Sequence, residues 1–117
     1  NKDNNNMIEL VIANNDDMAL GAIAALQNVG YNNGEGTTII PVFGVDATDD
    51  AKALIKQGNM TGSIKQDAVG MASTILTLVK NAQSGAALMD NTSSYTVDEG
   101  VAKIRVPYGV YDASSED

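Results

Sequence analysis

Ile40-Pro41-Val42-Phe43-Gly44-Val45-Asp46 is an apolar, β-forming run that stops abruptly on a carboxylate. In open α/β sheets ligands gather in the crevice beyond the carboxyl ends of the strands, so a strand ending on a polar residue presents it there. Two further runs end the same way. Leu10-Val11-Ile12-Ala13 leads into Asn14-Asn15-Asp16, and Thr61-Gly62-Ser63-Ile64 leads into Lys65-Gln66-Asp67. Each run is followed by a segment with helical spacing. The order β-α-β-α-β-α predicts an α/β fold of parallel βαβ units with right-handed crossovers.

Working outward from that run, residues 8–13 are too short and too β-branched for a helix and read as a buried strand. A helix is expected over about Asp17–Asn28, with Gly30 as its stop. Its apolar stripe is Met18, Ala22, Ala25 and Val29, flanked by Ala19, Ile23 and Leu26. Asp46, Thr48 and Asp49 open a second helix to about Gln57, which turns Ala51, Leu54 and Ile55 to the sheet. A strand over Met60–Lys65 and a helix over Ala68–Gln83 follow, the helix carrying Val69, Ala72, Ile75, Leu76 and Val79 at helical spacing. Residues 31–38 read as a flexible turn without chemistry, since no P-loop Lys-Ser/Thr follows their glycines. Val101–Pro107 reads as a last strand and Asp112–Asp117 as a mobile acidic tail. The opening Asn1–Asn6 is a polar connector that runs straight into a strand pattern, as in the middle of a longer chain. Three helices and four or five short strands barely supply a doubly wound sheet, which suggests an incomplete domain.

Composition removes several function classes. The net charge of −8 argues against a nucleic-acid backbone or an anionic membrane surface as partner. Without cysteine there is neither a disulfide framework nor thiolate chemistry, and without histidine the commonest general base and metal ligand are missing. No apolar run approaches the roughly 20 residues of a membrane span. A hydrophobic share of 44% nevertheless supports a packed aliphatic core.

Helix capping accounts for part of the polarity at the strand ends, but a cap uses one side chain. The three junctions hold Asn14, Asn15, Asp16 and Asp17; Asp46, Thr48 and Asp49; and Gln66 with Asp67. Amides both donate and accept, and a carboxylate accepts at two oxygens. The surplus suits a ligand rich in hydroxyl groups. Phosphate fits poorly beside a row of acids, and a nucleophilic or metal-hydrolytic site lacks its parts, so no enzyme is expected.

Ile12-Ala13-Asn14-Asn15-Asp16-Asp17-Met18-Ala19-Leu20-Gly21-Ala22, Ile40 to Ala47, Leu54-Ile55-Lys56-Gln57-Gly58 and Arg105-Val106-Pro107-Tyr108 together resemble the galactose/glucose-binding proteins of bacterial sugar import, a group of type I periplasmic binding proteins. The resemblance implies a non-catalytic extracytoplasmic receptor that delivers a monosaccharide to the membrane subunits of an ABC transporter and in some cases feeds chemotaxis. It implies sugar-binding roles for Asn15 and Asp46. The third position aligns with Gln66, where the galactose/glucose group has Asn and ribose-binding proteins have Gln, so hexose and pentose both stay open. Glu9 stands where that group has the carboxylate that closes a calcium site; no other cofactor is implied. The family's two lobes, joined by three crossing strands, divide the chain into residues 1–65 (later half of the C-terminal lobe), 66–104 (hinge crossing with a helix and strand of the N-terminal lobe) and 105–117 (return crossing and tail). The N-terminal half, whether in the same protein or in a companion chain, would supply the aromatic ring that stacks on the sugar. Location would be periplasmic or extracellular, with a lipoprotein anchor as one form. Two alternatives stand beside it: the effector domain of a sugar-responsive transcription regulator, which shares the fold, and a phospho-acceptor domain with Asp46 as acceptor, Asp16 and Asp17 as its acidic pair and Lys65 as its lysine.

Overall fold

A computed structural model describes residues 7–92, 95–98, 100, 101 and 103–116. The Asn1–Asn6 connector lies outside them, as do Ala102 within the expected last strand and Asp117 of the tail. The order is β1 (Val11–Ile12), α1 (Asp16–Gln27), β2 (Val42–Val45), α2 (Asp49–Lys56), β3 (Gly62–Lys65), α3 (Ala68–Ser84), β4 (Thr96–Val97), β5 (Ile104–Arg105) and β6 (Gly109–Asp112). The fold is the expected α/β arrangement of βαβ units. It divides into two compact units: one runs to Lys65 and resumes at Gly109, and the other is Gln66–Tyr108.

The first unit is built on a sheet in the order β1-β2-β3-β6. β1, β2 and β3 run parallel, and β6 pairs antiparallel with β3. Pro41 sits just before β2, where its missing N–H costs nothing to the ladder while its carbonyl accepts from Val11 N at 2.9 Å. Register sorts the side chains. Val11 and Val42 are paired, as are Gly44, Ser63 and Tyr111, and these residues face α1 and α2. The core there joins Val42, Ile40, Met60 and Tyr111 to Ala19, Ile23 and Leu26 of α1 and Ala51 and Ile55 of α2. Fully burying residues such as Ile23, Ile55 and Val42 stabilises by roughly 1.5–3 kcal/mol each. The opposite face carries Ile12, Phe43 and Val110; Ile12 is 77% and Val110 71% exposed.

Three local expectations are corrected. The buried face of α1 is Asp16, Ala19, Ile23 and Leu26, while Met18 and Val29 are exposed. The stripe is rotated by about one position because apolar residues surround this alanine-rich helix on several sides. β1 is shorter than residues 8–13 and is not a buried strand, since Ile8, Leu10 and Ile12 are exposed. The expected mobile tail begins inside β6, which inserts Tyr111 into the core.

In the second unit α3 buries Gly70, Thr74 and Asn81, not the expected stripe. Val69, Ile75, Leu76 and Val79 are exposed. The reason is hydrogen bonding: Asn81 Nδ2 donates to the carbonyls of Leu88 (2.9 Å) and Asp90 (2.7 Å), which draws the following segment onto the polar side of the helix. β4 and β5 form an antiparallel ribbon, fastened by Arg105, whose Nε and Nη2 reach Asp98 at 3.0 and 2.8 Å. The hydrogen bond from Arg105 holds the Asp98 carboxyl below its ordinary value.

Candidate functional site

The site is built from the bends that follow β1 and β2. These strands are adjacent and parallel, and the pairing continues past β1, where Ala13 N donates to Phe43 O at 2.8 Å. The chain therefore delivers Asn14–Asn15 and Asp46 at the same end of the sheet.

Asn15 is the N-cap of α1, with extended backbone, and its Oδ1 accepts from Met18 N at 3.0 Å. Its amide nitrogen makes no hydrogen bond among the described residues. The oxygen of this side chain caps the helix and its nitrogen remains a donor. Asp17 lies exposed on the first turn, where a carboxylate complements the helix dipole.

Asp16 takes a different place. It is fully buried, and both its oxygens are used: Oδ1 accepts from Ser63 Oγ at 2.6 Å, and Oδ2 from Thr48 N at 2.8 Å. Room for it comes from small residues. A Cβ at Gly44 would collide with Asp16 Oδ1 and lie 3.1 Å from its Cα, so only glycine lets α1 approach β2 here. Fully buried while Asp17 is exposed, Asp16 does not stand beside Asp17 as the acidic pair of a phospho-acceptor site.

Asp46 is exposed at the end of β2, and its N–H donates to Ile64 O at 2.8 Å. Its φ is +112°, and Ala47 follows at +51°. Residues with a Cβ rarely adopt either value, and each such residue costs on the order of 1–3 kcal/mol. Strain of this kind persists only where surrounding structure enforces it. Its effect is to turn the chain sharply at the carboxylate, before Thr48 caps α2 by accepting from Ala51 N.

Gln66 is the first residue after β3 and opens the second unit, where its carbonyl accepts from Ala68 N at 3.0 Å. It is exposed. Asp67 beside it is consumed as the N-cap of α3, accepting from Gly70 N at 2.8 Å. Glu9 is exposed ahead of β1. No group of three His, Cys, Asp or Glu side chains converges among the described residues, so Glu9 does not make a calcium site with them.

Sequence reasoning did not single out Ser63. Its signal was the pair of small residues, Gly44 and Ser63, at matched positions of adjacent strands. It also found no chemistry in residues 31–38, where Asn32 is fully buried and hydrogen-bonded to the backbone of Ile40 and Asn59.

The chain matches the family described as periplasmic binding protein domain over residues 1–87. It is 35% identical over 103 residues to the D-galactose/methyl-galactoside binding periplasmic protein MglB of Haemophilus influenzae, covering 88% of this chain and 28% of that protein. It is 47% identical over 62 residues to a putative rhizopine-binding protein of Rhizobium meliloti, covering 53% of this chain and 19% of that one. With the ribose import binding protein RbsB of Salmonella typhimurium it shares 37% over 59 residues, 50% of this chain and 18% of that protein. The chain thus spans less than a third of the length of each of these relatives.

Proposed function

Because this chain belongs to the periplasmic binding protein domain family, we propose that it is part of an extracytoplasmic receptor that binds a monosaccharide and delivers it to an ABC transporter. One observation carries the reading. Asn15 keeps an amide donor after capping α1, and on the neighbouring strand end a strained turn presents the exposed carboxylate of Asp46. A donor and a carboxylate at the ends of adjacent parallel strands suit vicinal sugar hydroxyls, and bonds to a charged group contribute about 1.5–3 kcal/mol each. The names of the relatives, binders of galactosides and ribose, support the same ligand class. No covalent chemistry is required, and the protein acts as a binder and not as an enzyme.

In this reading the first unit belongs to the C-terminal lobe, Gln66 lies on a hinge crossing and the chain returns near Val106–Tyr108. Gln66 reads a further hydroxyl and bears on the choice between hexose and pentose. Glu9 serves as one carboxylate of a calcium site completed by residues beyond those described. The partners are the remaining part of the receptor and the transporter's membrane subunits, in the periplasm or at the outer surface of the cell.

Isothermal titration of the complete protein with glucose, galactose, xylose and ribose tests the proposal. One-to-one binding of one of these sugars is expected. Binding of a hexose would make Gln66 a tolerated variant, and binding of a pentose would make it a determinant. Failure of all four would remove the receptor reading.

A further inference from the structure

We infer that Asp16 is a positioning residue: acting through Ser63, it holds the 46–48 turn in the conformation that aims Asp46 at a ligand. This rests on the sugar-binding reading for what Asp46 does, though not for how it is held. Three successive amides fix the turn. Asp46 N donates to Ile64 O at 2.8 Å, Ala47 N to Ser63 Oγ at 3.0 Å and Thr48 N to Asp16 Oδ2 at 2.8 Å. The middle bond depends on Asp16 as well. Ser63 gives its proton to Asp16 Oδ1 at 2.6 Å, and this turns a lone pair towards Ala47 N. One buried carboxylate thereby governs two of these three amide bonds in the turn, where Asp46 and Ala47 stand at positive φ.

Chemistry selects a carboxylate for the task. Both partners of Asp16 are donors, one at each oxygen, so the group must accept twice. An asparagine can accept from only one of them; its NH2 would meet the other donor, or Ser63 would have to surrender its proton elsewhere. Position adds a second consequence. Asp16 directly follows Asn15 in the chain and opens α1, so the same anchor sets the spacing between the capping amide and the Asp46 turn. Sugar contact by Asn15 and by Asp46 is coupled through a residue that touches neither sugar nor solvent.

The test uses the complete protein with Ser63→Ala, Ser63→Thr, Asp46→Ala and the double variant Ser63→Ala/Asp46→Ala, each checked for folding by circular dichroism. Amide hydrogen exchange without ligand is read at Ala47 and Thr48, with Val11 and Ala13, held by backbone carbonyls outside the turn, as internal controls. Ser63→Ala is expected to speed exchange at Ala47 and Thr48 by about tenfold or more and to leave the controls unchanged. Sugar affinity should fall about tenfold in the same variant. Added to Asp46→Ala, it should cost nothing further, which general destabilisation would not reproduce. Ser63→Thr, which keeps the hydroxyl, should restore both readouts. Unchanged exchange at Ala47 and Thr48, or fully additive affinity losses, would overturn the inference. If the unmodified protein binds none of the four sugars, the receptor reading fails while the exchange result alone still decides whether the anchor exists.

Discussion

Asn32 carries no penalty for its burial, because its side chain meets three backbone groups. Oδ1 accepts from Ile40 N at 2.9 Å, and Nδ2 donates to the carbonyls of Ile40 (2.8 Å) and Asn59 (3.0 Å). Its φ of +50° also suits asparagine better than most residues. Asn32→Ala should therefore lower unfolding stability by about 2–4 kcal/mol, measured by urea denaturation, since it leaves several buried groups unpaired. The exposed neighbour Asn33→Ala should change it by no more than about 1 kcal/mol. Asp46→Ala is the counterpart for function. In the complete protein it should weaken sugar binding at least about tenfold, roughly 1.4 kcal/mol. An unchanged dissociation constant in the folded variant would take Asp46 out of the site. These residues also mark how far a sequence can be read. The placement of Asn15 and Asp46 at strand ends was legible because apolar runs stop there. The separate fates of Asp16 and Asp17 were not, since adjacent carboxylates differ only in which way the first helical turn points them. Asn32 looked like a loop residue because its partners are backbone groups, which sequence does not distinguish.

Among the elements, helix ends were easier to read than helix faces. Asn15, Thr48 and Asp67 each cap a helix with their own side chain, so the starts of α1, α2 and α3 follow from residue type. Thr48→Ala should cost about 1 kcal/mol in thermal or urea unfolding, and Thr48→Ser much less, because serine keeps the capping oxygen. Asn15→Ala should lower stability by a similar amount and affinity as well, whereas Thr48→Ala should act mainly on stability. Faces were harder. In α1 two overlapping apolar stripes competed, and burial of Asp16 decided between them. In α3 the apolar stripe was visible, yet the side that packs within its unit is the polar one, held by Thr74 and Asn81. β6 escaped notice because Tyr108-Gly109-Val110-Tyr111-Asp112 is short and glycine-bearing, and only pairing with β3 makes it a strand.

Within the described residues of the first unit, α1 and α2 cover one face of the sheet. Tyr111 closes the covered side, with the ammonium groups of Lys52 and Lys56 at 5.4 and 5.6 Å from its ring centre. Lys56 also donates to Ser115 O and so ties the segment after β6 to α2. On the other side Ile12 and Val110 stand largely exposed. Val110→Lys in this chain should therefore leave its melting temperature nearly unchanged and reduce light scattering at high concentration. Val42→Lys, in the core, should unfold it. A large loss of stability from Val110→Lys in the complete protein, beside a small one in this chain, would show that further chain covers that face.

The pairing of β3 with β6 has a consequence in time. Lys65 lies directly opposite Gly109, yet all of Gln66–Tyr108 is synthesised between them. At roughly 5–20 residues per second, a ribosome leaves the outer edge of β3 bare for several seconds after the strand has emerged. During that interval Gly62–Lys65 offers an unpaired row of amides and carbonyls to any extended peptide nearby, including the nascent chains of adjacent ribosomes on the same message. Yield in the cell should thus depend on how quickly translation passes through residues 66–108, a property that no equilibrium measurement on the finished protein would reveal.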